Sequence, residues 1–179
     1  MKEIAKKLTQ WMDERSLDIN GQRKGFVSNI QEEMVEYFSA KDDNQRIDAL
    51  CDITVFCINA MKAYDKEHIK EPETVTNIIS SVTLGKQLDQ ITQNKFSKDS
   101  LENMIDICYT LATEMGYDFK KAMEETIKEI SSRTGAFDES LNKWIKDTSD
   151  EARKKWYKAD YEKARLYKRG FTANIACCE

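Results

Sequence analysis

Leu50-Cys51-Asp52-Ile53-Thr54-Val55-Phe56-Cys57-Ile58-Asn59-Ala60-Met61 decides the fold. Wound at helical pitch, this stretch is apolar nearly all round, and a helix of that kind has to be buried. Asp48, Asp52 and Asn59 fall on one stripe of it, four and then seven residues apart. Two acids and an amide therefore point into a core. An unpaired carboxylate there would cost several kcal/mol or take up a proton, so these groups need cations or hydrogen-bond donors as partners.

A second acidic stretch lies just upstream, Gln31-Glu32-Glu33-Met34-Val35-Glu36, between Phe26, Val27 and Ile30 on one side and Tyr37 and Phe38 on the other. Helical spacing puts Glu33 one heptad after Phe26, at the margin of the apolar stripe, with Glu36 one turn further on the same face. Helices are expected over residues 24–40 and 45–64, joined by the polar Lys41-Asp42-Asp43-Asn44. So short a connector makes them antiparallel neighbours and brings Glu33 and Glu36 level with Asp48 and Asp52. A hard divalent cation suits four such carboxylates: Mg²⁺ takes oxygen ligands, keeps some water and completes its shell with substrate phosphates. Taken alone, Glu-Glu-x-x-Glu reads equally as a solvated helix face, and Asp48 as a residue near a helix start. The conjunction of the two stretches carries the metal reading.

Length and composition bound the rest. The 179 residues suffice for one domain with a sizeable core; six Gly, one Pro and 34% charged residues leave few signals for strands. An all-α helical bundle is expected. No run is long and apolar enough to span a bilayer, and residues 1–15 carry no secretory signal, so a cytoplasmic location is expected. Cys51, Cys57 and Cys108 sit at apolar helical positions and read as reduced core thiols; Cys177 and Cys178 read as part of a tail. With 28 Lys plus Arg against 32 Asp plus Glu, there is no general electrostatic case for nucleic-acid binding. Residues 150–169 nevertheless carry eight basic side chains against four acidic ones, interleaved with Trp156, Tyr157, Tyr161 and Tyr167. They read as a basic aromatic helix packed on the body, or as a cover over an anionic substrate.

Further helices are expected over residues 1–14, with Ile4, Leu8, Trp11 and Met12 inward; from Pro72, with Val75, Ile78, Ile79 and Val82 inward; over 101–114, capped by Ser97 or Ser100 and stopped at Gly116; and over 119–132, capped by Asp118. Asn20-Gly21 punctuates the first link. His68, in the charged stretch 65–71, reads as a surface residue. Glu102 and Asp106 repeat the spacing of Asp48 and Asp52 and offer a second place for metal-binding acids.

Glu32-Glu33-x-x-Glu36 followed by Asp48-x-x-x-Asp52-Ile-Thr-Val-Phe-Cys-Ile-Asn59 resembles the all-α nucleoside triphosphate pyrophosphohydrolases, the MazG-like and phosphoribosyl-ATP-pyrophosphatase-like group. Met115-Gly116-Tyr117-Asp118, with Glu125, Glu129, Ser132 and Arg133, and the string Trp156-Tyr157-Lys158-Ala159-Asp160-Tyr161 look like the viral branch of that group. Where many members place a Glu three residues before the Asp, this chain has Ala49, with an acid one position earlier at Asp48.

The resemblance implies a domain over residues 1–149, with about 65–100 an insertion, and residues 150–179 packing on it. It implies Mg²⁺- or Mn²⁺-dependent cleavage of a nucleoside triphosphate, a dNTP by preference, to the monophosphate and pyrophosphate, in the cytoplasm or a host's cytoplasm. Glu33, Glu36, Asp48 and Asp52 would hold metal, and Glu32 would orient or deprotonate the attacking water. Asn59 would bond sugar or base, or be a satisfied buried amide. Lys128, Ser132, Arg133 and Lys158 would contact phosphate, each with a structural alternative. A homodimer or homotetramer is implied, with no membrane or nucleic-acid partner. The alternative is a non-catalytic helical scaffold that has lost a ligand.

Overall fold

Three aspartates and a serine fix where the main helices begin. In the computed structural model, which describes residues 1–76, 80–140 and 143–166, Asp18 accepts from Gly21 N–H, Asp42 from Gln45, Ser97 from Ser100 and Asp118 from Lys121. Each side chain satisfies one of the N–H groups that a helix start leaves without an internal partner. The helices so opened are α2 (Ile19–Ser39), α3 (Asp43–Asn59), α6 (Lys98–Glu114) and α7 (Phe119–Ser132). Completing the chain are α1 (Lys2–Asp13), α4 (Ala63–Glu67), α5 (Ser80–Gln93), strands β1 (Gly135–Asp138) and β2 (Lys143–Lys146), α8 (Asp150–Arg153) and a 3₁₀ turn, Tyr161–Ala164.

The chain is mostly helical, and α3 is its central element, packing on α1, α2, α6 and α7. Leu50, Ile53, Cys57 and Ile58 are fully buried, as an all-round apolar helix requires. Leu8 of α1, Phe26 and Ile30 of α2, Met104 and Cys108 of α6, and Ala122 and Met123 of α7 complete the core around it. Cys51, Cys57 and Cys108 are free thiols in that core. Gly116 ends the α6 region at φ +82, the left-handed conformation that glycine adopts without steric cost. Among the described residues no helix is long and apolar enough to cross a membrane.

The structure departs from the sequence expectations in four places. Helix α2 begins at Ile19, so Asn20-Gly21 lies in its first turn; the Asp18 cap outweighs the poor helix propensity of glycine. Pro72 does not open a helix. Lys70 N–H donates to Glu102, Glu73 N–H to Asp106 and Val75 N–H to the Thr110 hydroxyl, which pins the chain as an irregular strap along α6. Val75 and Val82 are exposed, and Ile78 and Ile79 lie outside the described residues.

Third, the all-helical expectation missed an antiparallel hairpin, in which Ala136 pairs with Ile145 and Phe137 with Trp144. A β-carbon at Gly135 would come within 2.4 Å of the Trp144 ring, so only glycine fits beneath the indole. Arg15, buried at the end of α1, fixes the base of this hairpin by donating to the carbonyls of Ile130, Ser131 and Arg133, which the end of α7 leaves open. Fourth, among the described residues the basic aromatic segment is α-helical only over α8, with the 3₁₀ turn Tyr161–Ala164 further on. Between the two, Tyr157 N–H donates to the Ser132 hydroxyl, Ala159 N–H to Glu129 and Asp160 N–H to Glu125. Side chains of α7 take the donors that a continuing helix would use internally. Tyr167, Lys168, Arg169, Cys177 and Cys178 lie outside the described residues.

Candidate functional site

The three-residue link between α2 and α3 folds them into a hairpin with one acidic face. Ala49 is buried in the core, whereas its neighbours along the helix stripe, Asp48 and Asp52, are half-buried and turned toward α2. A ligand at position 49 would have pointed into hydrocarbon; the acid at 48 is the one that the helix aims at Glu33 and Glu36. Glu33 is half-buried and Glu36 and Glu32 are exposed.

These carboxylates oppose one another. Burial, then repulsion by Asp52, Glu36, Asp48 and Glu32, pushes the Glu33 carboxyl up to about 8. Burial and the charge on Asp48 push Asp52 up to about 7, with Arg133 partly offsetting them. Asp48 is also raised, by burial first, although the Tyr161 hydroxyl donates to its Oδ1 at 2.5 Å and pulls the other way. Tyr161 is itself buried, and its hydroxyl is 2.9 Å from Thr126 Oγ1. Three elements distant in sequence thus fix the direction of Asp48.

A basic edge faces the acids from the end of α7 and the β-hairpin. Arg133 donates through Nη2 to Glu129 Oε1 at 2.6 Å and remains near enough to Asp48 and Asp52 to lower the pKa of both. Lys146 on β2 feels Asp52, Arg133, Glu129 and Arg153; burial, then Arg133, lowers its own pKa.

Other residues singled out in the sequence have structural work. Ser132 accepts from Tyr157 N–H and donates to Glu129 O, latching the C-terminal segment to α7. Lys128 donates to Glu125, whose other oxygen accepts from the Tyr157 hydroxyl. Lys158 is exposed and joins none of the carboxylates among the described residues. Glu102 and Asp106 anchor the strap after α4, with Lys70 and Lys98 around Glu102, and so belong to a separate place. They line a cleft of about 260 Å³, and a second cleft of about 390 Å³ lies by Tyr109, Tyr117 and Phe119; neither contains an acid of the α2–α3 face. Asn59, two turns along from Asp52, is buried, and among the described residues neither its amide N–H nor its oxygen has a hydrogen-bond partner. An orphan of this kind costs about 1–3 kcal/mol and calls for a water or ligand atom.

The chain matches no protein-family model, no curated protein and no solved structure. Any function must therefore rest on this site's own chemistry. Among the described residues, no group of three or more His, Cys, Asp or Glu side chains is drawn together closely enough to hold a metal ion. The donor set nevertheless fits a hard divalent cation. It is all oxygen and rich in negative charge, and burial first and mutual repulsion second raise the pKa of Glu33, Asp48 and Asp52. Tyr161 and Lys146 were not marked as site residues by sequence reasoning. Tyr161 stands in the sequence as one aromatic among several, and Lys146 carries no signal there, lying in a strand of only four residues.

Proposed function

We propose that the chain is a Mg²⁺- or Mn²⁺-dependent nucleoside triphosphate pyrophosphohydrolase of the MazG-like type, acting on a dNTP to release the monophosphate and pyrophosphate for nucleotide-pool control. One observation carries the reading: Glu33, Asp48 and Asp52 lie half-buried on the facing sides of the α2–α3 hairpin and, with Glu36, influence one another electrostatically, with Arg133 and Lys146 acting on the same acids. The resemblance of Glu32-Glu33-x-x-Glu36 and Asp52 through Asn59 to that group supports it from the sequence.

A divalent cation held by Glu33, Glu36, Asp48 and Asp52 would supply bridging to phosphate oxygens, a water of lowered pKa and charge neutralisation on the leaving pyrophosphate. Glu32, exposed beside Glu33, would orient or deprotonate the water that attacks the α-phosphorus. The α–β bridging oxygen then leaves with pyrophosphate. Arg133 offers planar guanidinium donors to the phosphate oxygens, and Asn59 offers an unpaired amide to sugar or base. Val35 and Phe38, exposed at 66% and 47% on the outer side of α2, support the implied homodimer or homotetramer.

Incubation with a panel of dNTPs and NTPs, with Mg²⁺ or with EDTA, should release pyrophosphate and monophosphate in equal amounts and only with the metal. Absence of metal-dependent release for every nucleotide would leave a helical scaffold and remove the enzyme reading. Tyr161→Phe removes the bond that fixes Asp48 and should weaken the metal activation constant by about tenfold to a hundredfold, as loss of a ligand-orienting hydrogen bond does elsewhere. Metal titration of activity measures it; an unchanged constant would detach Tyr161 from the site.

A further inference from the structure

Three cations gather beside the acid face, which is itself a nearby source of negative charge. Lys146 interacts electrostatically with both Arg133 and Arg153, and among the described residues neither Lys146 nor Arg153 has a carboxylate within ion-pair distance. Arg133 pairs, among the described residues, with Glu129 alone, whose other oxygen is taken by Ala159 N–H. Trp156 lies among them: Arg133 Cζ is 6.0 Å and Lys146 Nζ 5.9 Å from its ring centroid. Two N–H donors at this place, Arg133 Nε and Trp156 Nε1, are shielded from solvent and have no acceptor among the described residues. A buried donor without an acceptor is costly, and converging like charges add to that cost, unless an anion satisfies both.

We propose that Arg133, Lys146 and the Trp156 indole N–H form an anion cradle that takes the pyrophosphate portion of a polyphosphate ligand. The cradle rests on the hydrolase reading for its place in the reaction, since the acid face would hold the ligand on the side opposite. Its geometry suits a chain of phosphoryl groups better than a single one. The guanidinium and the ammonium each lie about 6 Å from one indole and offer donors from separate places in the chain, the end of α7 and β2, while the N–H of that ring supplies a third. Lys146 is exposed, so an arriving anion meets it first; the Arg133 and Trp156 donors lie deeper. The hairpin, absent from the sequence expectations, then has a role: it delivers Lys146 to the edge of the site, with Gly135 letting Trp144 close the sheet.

The test titrates inorganic pyrophosphate into the full chain with Mg²⁺ present, read by calorimetry and by tryptophan fluorescence, for the wild type, Lys146→Gln and Trp156→Phe. Melting curves check that both variants fold. Lys146→Gln should weaken pyrophosphate binding about tenfold to a hundredfold, the range for a hydrogen bond to a charged group. Trp156→Phe keeps the ring, removes the N–H, and should weaken binding about tenfold while abolishing most of the fluorescence change. Orthophosphate should bind more weakly than pyrophosphate. Equal pyrophosphate affinity in all three proteins, or orthophosphate binding as tightly, overturns the cradle even if dNTP hydrolysis is observed. Variant-sensitive pyrophosphate binding without hydrolysis of any nucleotide supports the cradle and overturns the hydrolase reading instead.

Discussion

Asp52→Asn should abolish Mg²⁺-dependent pyrophosphate release while leaving the fold intact. Asp52 is half-buried on a helix whose other sides are core, and it acts electrostatically on both Glu33 of α2 and Lys146 of β2. Removal of a ligand charge takes away several kcal/mol of transition-state stabilisation, on the order of a thousandfold in turnover. The amide is nearly isosteric, so packing of Ile53, Val55 and Phe56 is undisturbed. Helicity by circular dichroism should match the wild type. The metal-free variant should moreover gain stability relative to the wild type as pH rises from about 4, the gain being complete above about pH 7, because it lacks the buried carboxylate whose proton affinity folding raises. Retained metal-dependent turnover would take Asp52 out of the site. Lost turnover with lost helicity would show a structural role instead.

The parts of this molecule written in the sequence are those in which local chemistry and packing agree. Helix α7 begins and ends where Asp118 and the apolar spacing of Met123, Ile127 and Ile130 place it, and α6 starts at the Ser97 cap. Asp48 and Asp52 on the buried helix, opposite Glu33, could be placed by spacing alone because helical periodicity and the short connector leave one arrangement. The remainder depended on partners far along the chain. Nothing local to residues 154–161 says that Glu125, Glu129 and Ser132 will capture their N–H groups. Nothing near Pro72 says that Glu102, Asp106 and Thr110 will strap that segment to α6. The same acids therefore read as a second place for metal, because spacing reports the face of a helix and not what lies against it. The hairpin escaped notice for a related reason: four-residue strands carry too little alternation, and the close approach of Gly135 to Trp144 exists only in three dimensions.

Raising the pH from about 5.5 to about 8.5 should lower the melting temperature of the metal-free protein, and Mg²⁺ should restore most of the loss at the upper pH alone. Glu33 at about 8 against an ordinary 4.5, and Asp52 at about 7 against 3.8, keep protons in the folded state that the unfolded chain has already released. Unfolding therefore releases protons between the ordinary and the folded values, and stability falls as pH rises through that window, the loss being complete above the folded pKa of Glu33. Glu125 acts in the opposite sense. Burial would raise it, but Lys128, Tyr157 and the Asp160 N–H outweigh burial and hold it at about 2. It is ionised in both states throughout the window, so its contribution is constant and drops out of the comparison. A tenfold difference in proton affinity between the folded and the unfolded chain is worth about 1.4 kcal/mol, and solvent reaching Glu33 screens part of the effect, leaving a net loss of about 2–4 kcal/mol. For a domain of this size that is on the order of 5–15 °C. A cation that binds only the folded form stabilises by mass action, about 2.7 kcal/mol at a hundredfold excess over its dissociation constant. It must displace the protons on Glu33 and Asp52 at low pH and meets free carboxylates at high pH, so the Mg²⁺-induced gain in melting temperature should be small at the first and large at the second. Melting curves at both pH values, with Mg²⁺ and with EDTA, for the wild type and Asp52→Asn, decide it. A gain of equal size at the two pH values, or a metal-free melting temperature that rises with pH, would mean that these carboxylates neither share protons nor exchange them for metal.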